Sequence, residues 1–135
     1  MTAAELNAFM EAEFPRWDRS GITIETAEYR KVRLRMTTGP RSLRPGGTVS
    51  GPTMFMLADT ALYSAVLASV GPKPLAVTVN MAINFLRKPA PKDLIAECGL
   101  LKLGKRLAVG EVRLSSDGEE ELIAQATGTY SIPAE

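Results

Sequence analysis

The chain contains no histidine and a single cysteine, Cys98. Without histidine there is no Ser-His-Asp or Cys-His arrangement and no zinc site built on imidazole. One cysteine excludes an intrachain disulfide and a thiolate metal cluster, and it fits a reducing compartment. Acid–base work falls to Asp, Glu, Lys, Tyr or backbone groups. An excess of one charge is lacking as well: the net charge is +1, so bulk electrostatics offers nothing to a nucleic acid. The opening MTAAELNAF has no basic segment leading into an apolar one, so no secretory leader is expected and the reading is cytoplasmic. What remains is a chain of 135 residues, 45% hydrophobic and 23% charged. That suits one globular domain able to bury about two thirds of its chain surface.

Charge is scarcest between Pro45 and Pro72, where Asp59 stands alone. From Pro52 to Val70 the residues are apolar or small on every side, the pattern of a helix buried all round. Ser50 suits its N-cap, Pro52 its first turn, and Gly71 with Pro72 its end. The run approaches the ~20 residues a membrane span needs. Asp59 at its centre would cost about 2.5–3.5 kcal/mol there, and Ala, Ser and Thr dilute the run, so a core helix is the reading. An isolated acid in such a helix has two readings. It is a carboxylate kept for chemistry, or an aspartate that caps or pairs with a neighbour.

Around this helix the pattern changes. Thr2 and Glu5 have capping-box spacing, with Leu6, Phe9 and Met10 on one face before Pro15, which predicts a short helix over residues 1–15. Ile22 and Ile24, then Val32, Leu34 and Met36, alternate with polar neighbours and predict two strands. Residues 37–47 read as a loop. Beyond the helix, strands are expected at Val77–Phe85, Leu94–Leu101, Leu107–Ser115 and Leu122–Ile132. In the first of them Val77, Val79, Met81, Ile83 and Phe85 are expected to share one face. A meander of about six strands must cover its apolar face, and an all-apolar helix must be wrapped. One curved antiparallel sheet around a helix covering residues 50–71 meets both needs, with Ala58, Ala61, Ala65 and Ala68 as a narrow waist. This α+β layout is the hotdog architecture, in a single domain covering 1–135.

The stretches SGPTMFMLADTALYSAV, VTVNMAINFLRKPAPKDLIAECGLLKLGKRLAVGEV and LIAQATGTYSIP carry four motifs in order. Together, over roughly Pro45 to Pro133, they resemble the hotdog acyl-CoA thioesterases of the phenylacetate-pathway (PaaI) type. The resemblance implies thioester hydrolysis without a cofactor, with the acyl-CoA as small-molecule partner, in a homodimer or dimer of dimers. It implies that Asp59 is the catalytic carboxylate, as nucleophile or as base toward water. Gly51 then supplies the backbone N–H that polarises the thioester carbonyl, and Thr78 helps hold the water or the carboxylate. Two positions depart from the family pattern. Ser50-Gly51-Pro52 stands where the family has His-Gly-Gly, and Arg44 where it often has asparagine.

Helix geometry adds an independent constraint. Gly51 and Asp59 lie about 12 Å apart along one helix at 1.5 Å per residue, so one thioester carbon cannot meet both within a single chain. A shared site between two subunits follows if both act. Phe55 and Tyr63 lie four residues either side of Asp59, and Met56 and Leu62 three, which makes them candidates for an acyl channel or for core. Arg87, Lys88, Lys105 and Arg106 are candidates for coenzyme A phosphates and equally plain surface charges. Arg44 is a candidate to meet an acidic substrate group or Asp59. Two further functions stand beside hydrolysis: an acyl-CoA binding protein without turnover, and hydratase chemistry, which the missing histidine disfavours.

Overall fold

A computed structural model describes residues 1–39 and 48–134, together with the backbone of Leu43–Arg44. Helix α1 covers Ala3–Glu13. The Thr2 hydroxyl accepts the Glu5 amide and the Glu5 carboxylate accepts the Thr2 amide, which satisfies two orphan donors reciprocally. Phe14 leaves the helix in an extended conformation, as the residue before a proline prefers. A four-residue helix α2, Trp17–Ser20, follows; its short run left no periodic signal in the sequence. Gly21 then turns the chain at φ 75°, where a Cβ would lie 2.7 Å from the Thr37 carbonyl oxygen. Only glycine suits that position.

Strands β1 (Ile22–Glu28) and β2 (Lys31–Met36) form a hairpin, and a small ribbon of β3 (Leu43–Arg44) and β4 (Thr48–Val49) interrupts the expected loop. Helix α3 spans Gly51–Val70, followed by β5 (Val77–Phe85), β6 (Leu94–Leu103), β7 (Leu107–Ser116) and β8 (Leu122–Ser131). The six long strands make one antiparallel sheet in the order β1-β2-β6-β7-β8-β5, wrapped around α3. This is the hotdog architecture the sequence predicts.

Close approach of helix and sheet has a specific cause. Gly110 and Gly128 are register partners on β7 and β8. A Cβ on either would fall 2.6 or 2.8 Å from a methyl of Leu62. Leu62 therefore fills the notch left by two missing side chains and is fully buried. It is core, and the acyl-channel candidacy raised by its spacing from Asp59 is corrected. Ala58, Ala61 and Ala65 are also fully buried, so small residues lie on both sides of the contact.

Strand β5 departs from strict alternation. Thr78 faces Tyr130 and Asn80 faces Thr129, leaving Val79 as an extra residue. A bulge reverses parity. Thr78 therefore shares the helix-facing side with Met81, Ile83 and Phe85, and the expected continuous face from Val77 to Phe85 does not form. The same bulge aims Thr78 at the middle of α3.

Candidate active site

Asp59 sits half-buried in the middle of α3. Its Oδ1 accepts two hydrogen bonds, from the Thr78 hydroxyl at 2.6 Å and from the Tyr130 hydroxyl at 2.7 Å. Burial pushes the Tyr130 phenol well above its ordinary value, and the Asp59 charge beside it adds to that rise. The phenol is thus held protonated, as a donor. Oδ2 has no hydrogen-bond partner among the described residues, and Asp59 makes no ion pair there. Nor does it cap the helix, since that role belongs to Ser50. Of the two readings, pairing is met only by neutral donors on one oxygen, with the other oxygen left unengaged.

The donors come from distant parts of the chain. Thr78 is placed by the β5 bulge, and Tyr130 stands beside it in register on β8. Tyr130 went unassigned in the sequence, although a buried tyrosine hydroxyl needs a partner and that need is its one local signal. Tyr63, a turn beyond Asp59, packs its ring 6.0 Å from that of Tyr130 and 5.7 Å from that of Phe14. Its hydroxyl donates to the Pro74 carbonyl at 3.2 Å.

Asp59, Thr78 and Tyr130 open into a cavity of about 850 Å³. Met56 and Tyr63 line it, as their helical spacing suggests, whereas Phe55 does not. Phe55 stays 38% exposed on another side of α3, because four residues of helix turn 40° past a full circle and Met56 takes the cavity side. The lining also includes residues the sequence offered no reason to choose for a site, among them Met10, Phe14, Arg16, Trp17 and Ile22 from the segment running from α1 through α2 to the start of β1.

The other candidates lie elsewhere. The Ser50 hydroxyl accepts the Thr53 amide at 3.3 Å and lies 2.8 Å from the Thr53 hydroxyl, so it is occupied as a helix cap. Gly51 opens α3, where helix N–H groups lack intrahelical partners. A Cβ on it would meet the Phe85 ring at 3.4 Å, an ordinary contact, so glycine here keeps the backbone approachable. Gly51 therefore stands at the Phe85 end of β5 and Asp59 at the Thr78 end. Arg87, ion-paired with Glu121, and exposed Lys88 follow Phe85. Exposed Lys105 and Arg106 precede β7, where the Arg106 carbonyl accepts the Ile132 amide near Tyr130. Each basic pair thus accompanies one half of the expected machinery. The side chain of Arg44 lies outside the described residues. Cys98 is buried, and burial pushes its thiol up to about 12, which removes it as a nucleophile. Among the described residues no group of three metal-ligating side chains occurs.

Residues 46–123 match the family model described as the thioesterase superfamily. A provisionally named thioesterase from a Silicibacter species has the same fold with a TM-score of 0.88 and 45% identity, over 97% of this chain and 91% of that one. The PaaI protein of the phenylacetic acid degradation operon of E. coli superposes with a TM-score of 0.82 at 24% identity, over 97% and 94% of the two chains. A Streptococcus mutans protein whose structure contains acetyl-CoA superposes with a TM-score of 0.74 at 20% identity, over 83% and 88%.

Proposed function

The chain belongs to the thioesterase superfamily, and from that premise we propose that it hydrolyses acyl-CoA thioesters at a site shared by two copies, in the manner of the phenylacetate-pathway type. The observation that carries this reading is the Asp59 carboxylate, with both neutral donors on Oδ1 and Oδ2 left unengaged at the cavity. Hydrogen bonds to a carboxylate favour its charged form, which is the form that attacks or removes a proton. The bound acetyl-CoA of the S. mutans structure is in keeping with such a ligand.

With Asp59 as base, Oδ2 takes a proton as the water oxygen bonds to the thioester carbonyl carbon. The carbonyl oxygen becomes an oxyanion, met by the Gly51 N–H at a helix N-terminus, where the dipole favours negative charge. Collapse breaks the C–S bond, and the proton held by Asp59 passes to the departing sulfur. With Asp59 as nucleophile, its Oδ2 bonds to the thioester carbon, the C–S bond breaks with coenzyme A leaving as its thiolate, and water then hydrolyses the resulting anhydride to the free acid and the restored carboxylate. Neither route needs histidine. A thiol ionises near pH ~8.5, so the sulfur leaves with little help from an acid.

The amide and the carboxylate lie about 12 Å apart on α3 and at opposite ends of β5. A two-fold axis through the centre of β5, pairing that strand with its own copy, brings Gly51 of one chain to Asp59 of the other. It also brings Arg87 and Lys88 of one chain beside Lys105 and Arg106 of the other, within reach of coenzyme A phosphates. In β5 and just beyond it, Val77, Val79, Phe85 and Leu86 are each more than half exposed, an apolar edge that such pairing would cover.

The test measures free thiol released from a panel of acyl-CoA esters by wild type, Asp59→Asn and Gly51→Pro. Proline removes the N–H at a position where helices accept it. Both variants are expected to be inactive alone. Mixing them after co-refolding should recover roughly a quarter of wild-type activity, since in a two-fold dimer one mixed site in two is intact. No recovery in a verified mixed dimer sinks the shared site. Thiol release no higher in wild type than in Asp59→Asn, with acyl-CoA still bound, makes the protein a binder instead.

A further inference from the structure

A net charge of +1 hides an uneven distribution. One end of the sheet is formed by the β1–β2 turn, the α3–β5 loop and the β6–β7 hairpin. It carries Arg30, Lys31, Lys73, Lys102, Lys105 and Arg106, and Glu28 is the one acid among residues 28–31, 71–76 and 101–107. None of these cations makes an ion pair among the described residues. At the opposite end Asp93, Asp117, Glu119 and Glu121 are each held by an arginine or a lysine. Glu97 and Glu111, further along β6 and β7, are paired with Arg33 and Arg113.

Two local irregularities set apolar side chains among these cations. In β6, Leu100 pairs with Gly110 and Lys102 with Val109, so Leu101 is an extra residue. The bulge reverses parity: Leu101 and Lys102 both turn outward, while Leu100 and Leu103 pack on the core. Leu101 is left 64% exposed, and Leu107, beside buried Ala108 on β7, is 49% exposed. In the β1–β2 turn Arg30 takes φ 67°, a conformation few non-glycine residues adopt. Three hydrogen bonds fix it there. Its amide donates to the Ser69 hydroxyl at 2.8 Å and its guanidinium to the Leu100 carbonyl at 3.0 Å. Its own carbonyl accepts the Leu100 amide at 2.9 Å. Tyr29 is thereby held outward, 67% exposed, close to Leu101.

Charge complementarity favours an anionic partner, and the leucines favour an apolar layer beneath its charge. A nucleic acid would satisfy the cations and leave Tyr29, Leu101 and Leu107 in water. The acidic end of another copy has its carboxylates already engaged. We propose that this rim docks the protein on an anionic lipid surface. Tyr29, Leu101 and Leu107 enter the headgroup boundary, and Arg30, Lys31 and Lys102 meet the lipid phosphates. Strand β8 stands between β5 and each of β2, β6 and β7, so a second copy paired along β5 leaves the rim uncovered. Lys105 and Arg106, assigned above to coenzyme A, are not required for docking, and docking does not depend on the hydrolytic reading.

The experiment floats the full chain with mixed phosphatidylcholine–phosphatidylglycerol vesicles and with pure phosphatidylcholine vesicles, at low and high salt. Wild type should bind the mixed vesicles, lose most of that binding at high salt, and bind the neutral ones far less. Lys102→Gln should weaken binding about fivefold and Leu101→Ser about tenfold, each checked for folding by thermal melting. Tyr29→Ser, in an exposed turn, repeats the apolar test if Leu101→Ser melts early. Thiol release from acyl-CoA without vesicles should be unchanged in all three. Asp59→Asn should float like wild type, so a failure of the hydrolytic reading leaves docking standing. No binding to the mixed vesicles, or equal binding to the neutral ones, overturns the proposal. So does binding that Lys102→Gln weakens while folded Leu101→Ser and Tyr29→Ser do not, since that is a site for any polyanion. Self-association abolished by Leu101→Ser, without vesicle binding, would give the rim to a second copy and overturn the proposal too.

Discussion

The two edges of the sheet are built on opposite plans. At β1 the edge is covered: the Asn7 side chain on α1 donates to the Ile24 carbonyl at 2.9 Å and accepts the Ile24 amide at 3.0 Å. One side-chain amide thus substitutes for a neighbouring strand. Immediately beyond, Glu25 is an extra residue in the pairing with β2, and it bonds Arg33 and Arg35. At β5 the edge is nine residues long, has no strand beyond it among the described residues, and exposes Val79 and Phe85. Proteins ordinarily blunt such an edge with charge, proline or a covering element. Here one edge is blunted three ways and the other only bulged, at Val79, where the bulge serves Asp59. The difference teaches that the covered edge completes the fold, whereas the open one is left available for the pairing proposed above.

The sharpest break of this contrast is chemical. Asp59→Asn, at the open side, should lower kcat by about 10²–10⁴-fold with little change in melting temperature, as read by thiol release. Next comes Val79→Lys, which places a charge on the open edge. It should give a monomer by sedimentation and lose activity in parallel with the lost assembly, by about a hundredfold if the apolar edge holds the copies together. An active monomer would remove the functional half of the comparison. Tyr130→Phe removes one of two donors from Oδ1. A hydrogen bond to a charged group is worth about 1.5–3 kcal/mol, so kcat should drop roughly tenfold or more with KM little changed.

The covered edge should answer in stability alone. Asn7→Ala leaves the Ile24 amide and carbonyl without their partner, at a cost of about 1–3 kcal/mol in urea unfolding, while kcat holds. A fall in kcat without loss of stability would mean that this edge is not merely structural. The smallest effect belongs to Glu25, whose carboxyl is held below its usual range chiefly by the Arg35 hydrogen bond. Its stabilising contribution is present above the unfolded carboxylate pKa and fades as pH falls through the lowered folded value. Glu25→Gln should flatten only that acid limb of the stability curve, and only slightly, since surface ion pairs are weak.

Much of this was legible along the chain. Asp59 announced itself by being the lone charge in an apolar helix, and the caps at Thr2 and Ser50 placed both helix starts because capping is a local event. Thr78 emerged from a resemblance and not from periodicity. Alternation alone put it on the opposite side from Met81, and the Val79 bulge that reverses this is stabilised by pairing with a strand fifty residues away. Phe14 and Trp17 had no local mark, and Tyr130 had only the need of a buried hydroxyl for a partner. Each matters through what it touches across the fold: a carboxylate on α3, the ring of Tyr63, or a cavity.

By itself, the order of residues determined the long elements, the buried helix, the wrapping sheet and the identity of the isolated acid. Hydrophobic period, capping and turn chemistry are written within a few neighbouring positions, so they can be read without folding the chain. Tertiary structure alone decided which oxygen of Asp59 is engaged, which residues wall the cavity, and which sheet edge is left open. Those depend on strand register and on groups far apart in sequence meeting within 3 Å, a property that only the packed molecule possesses.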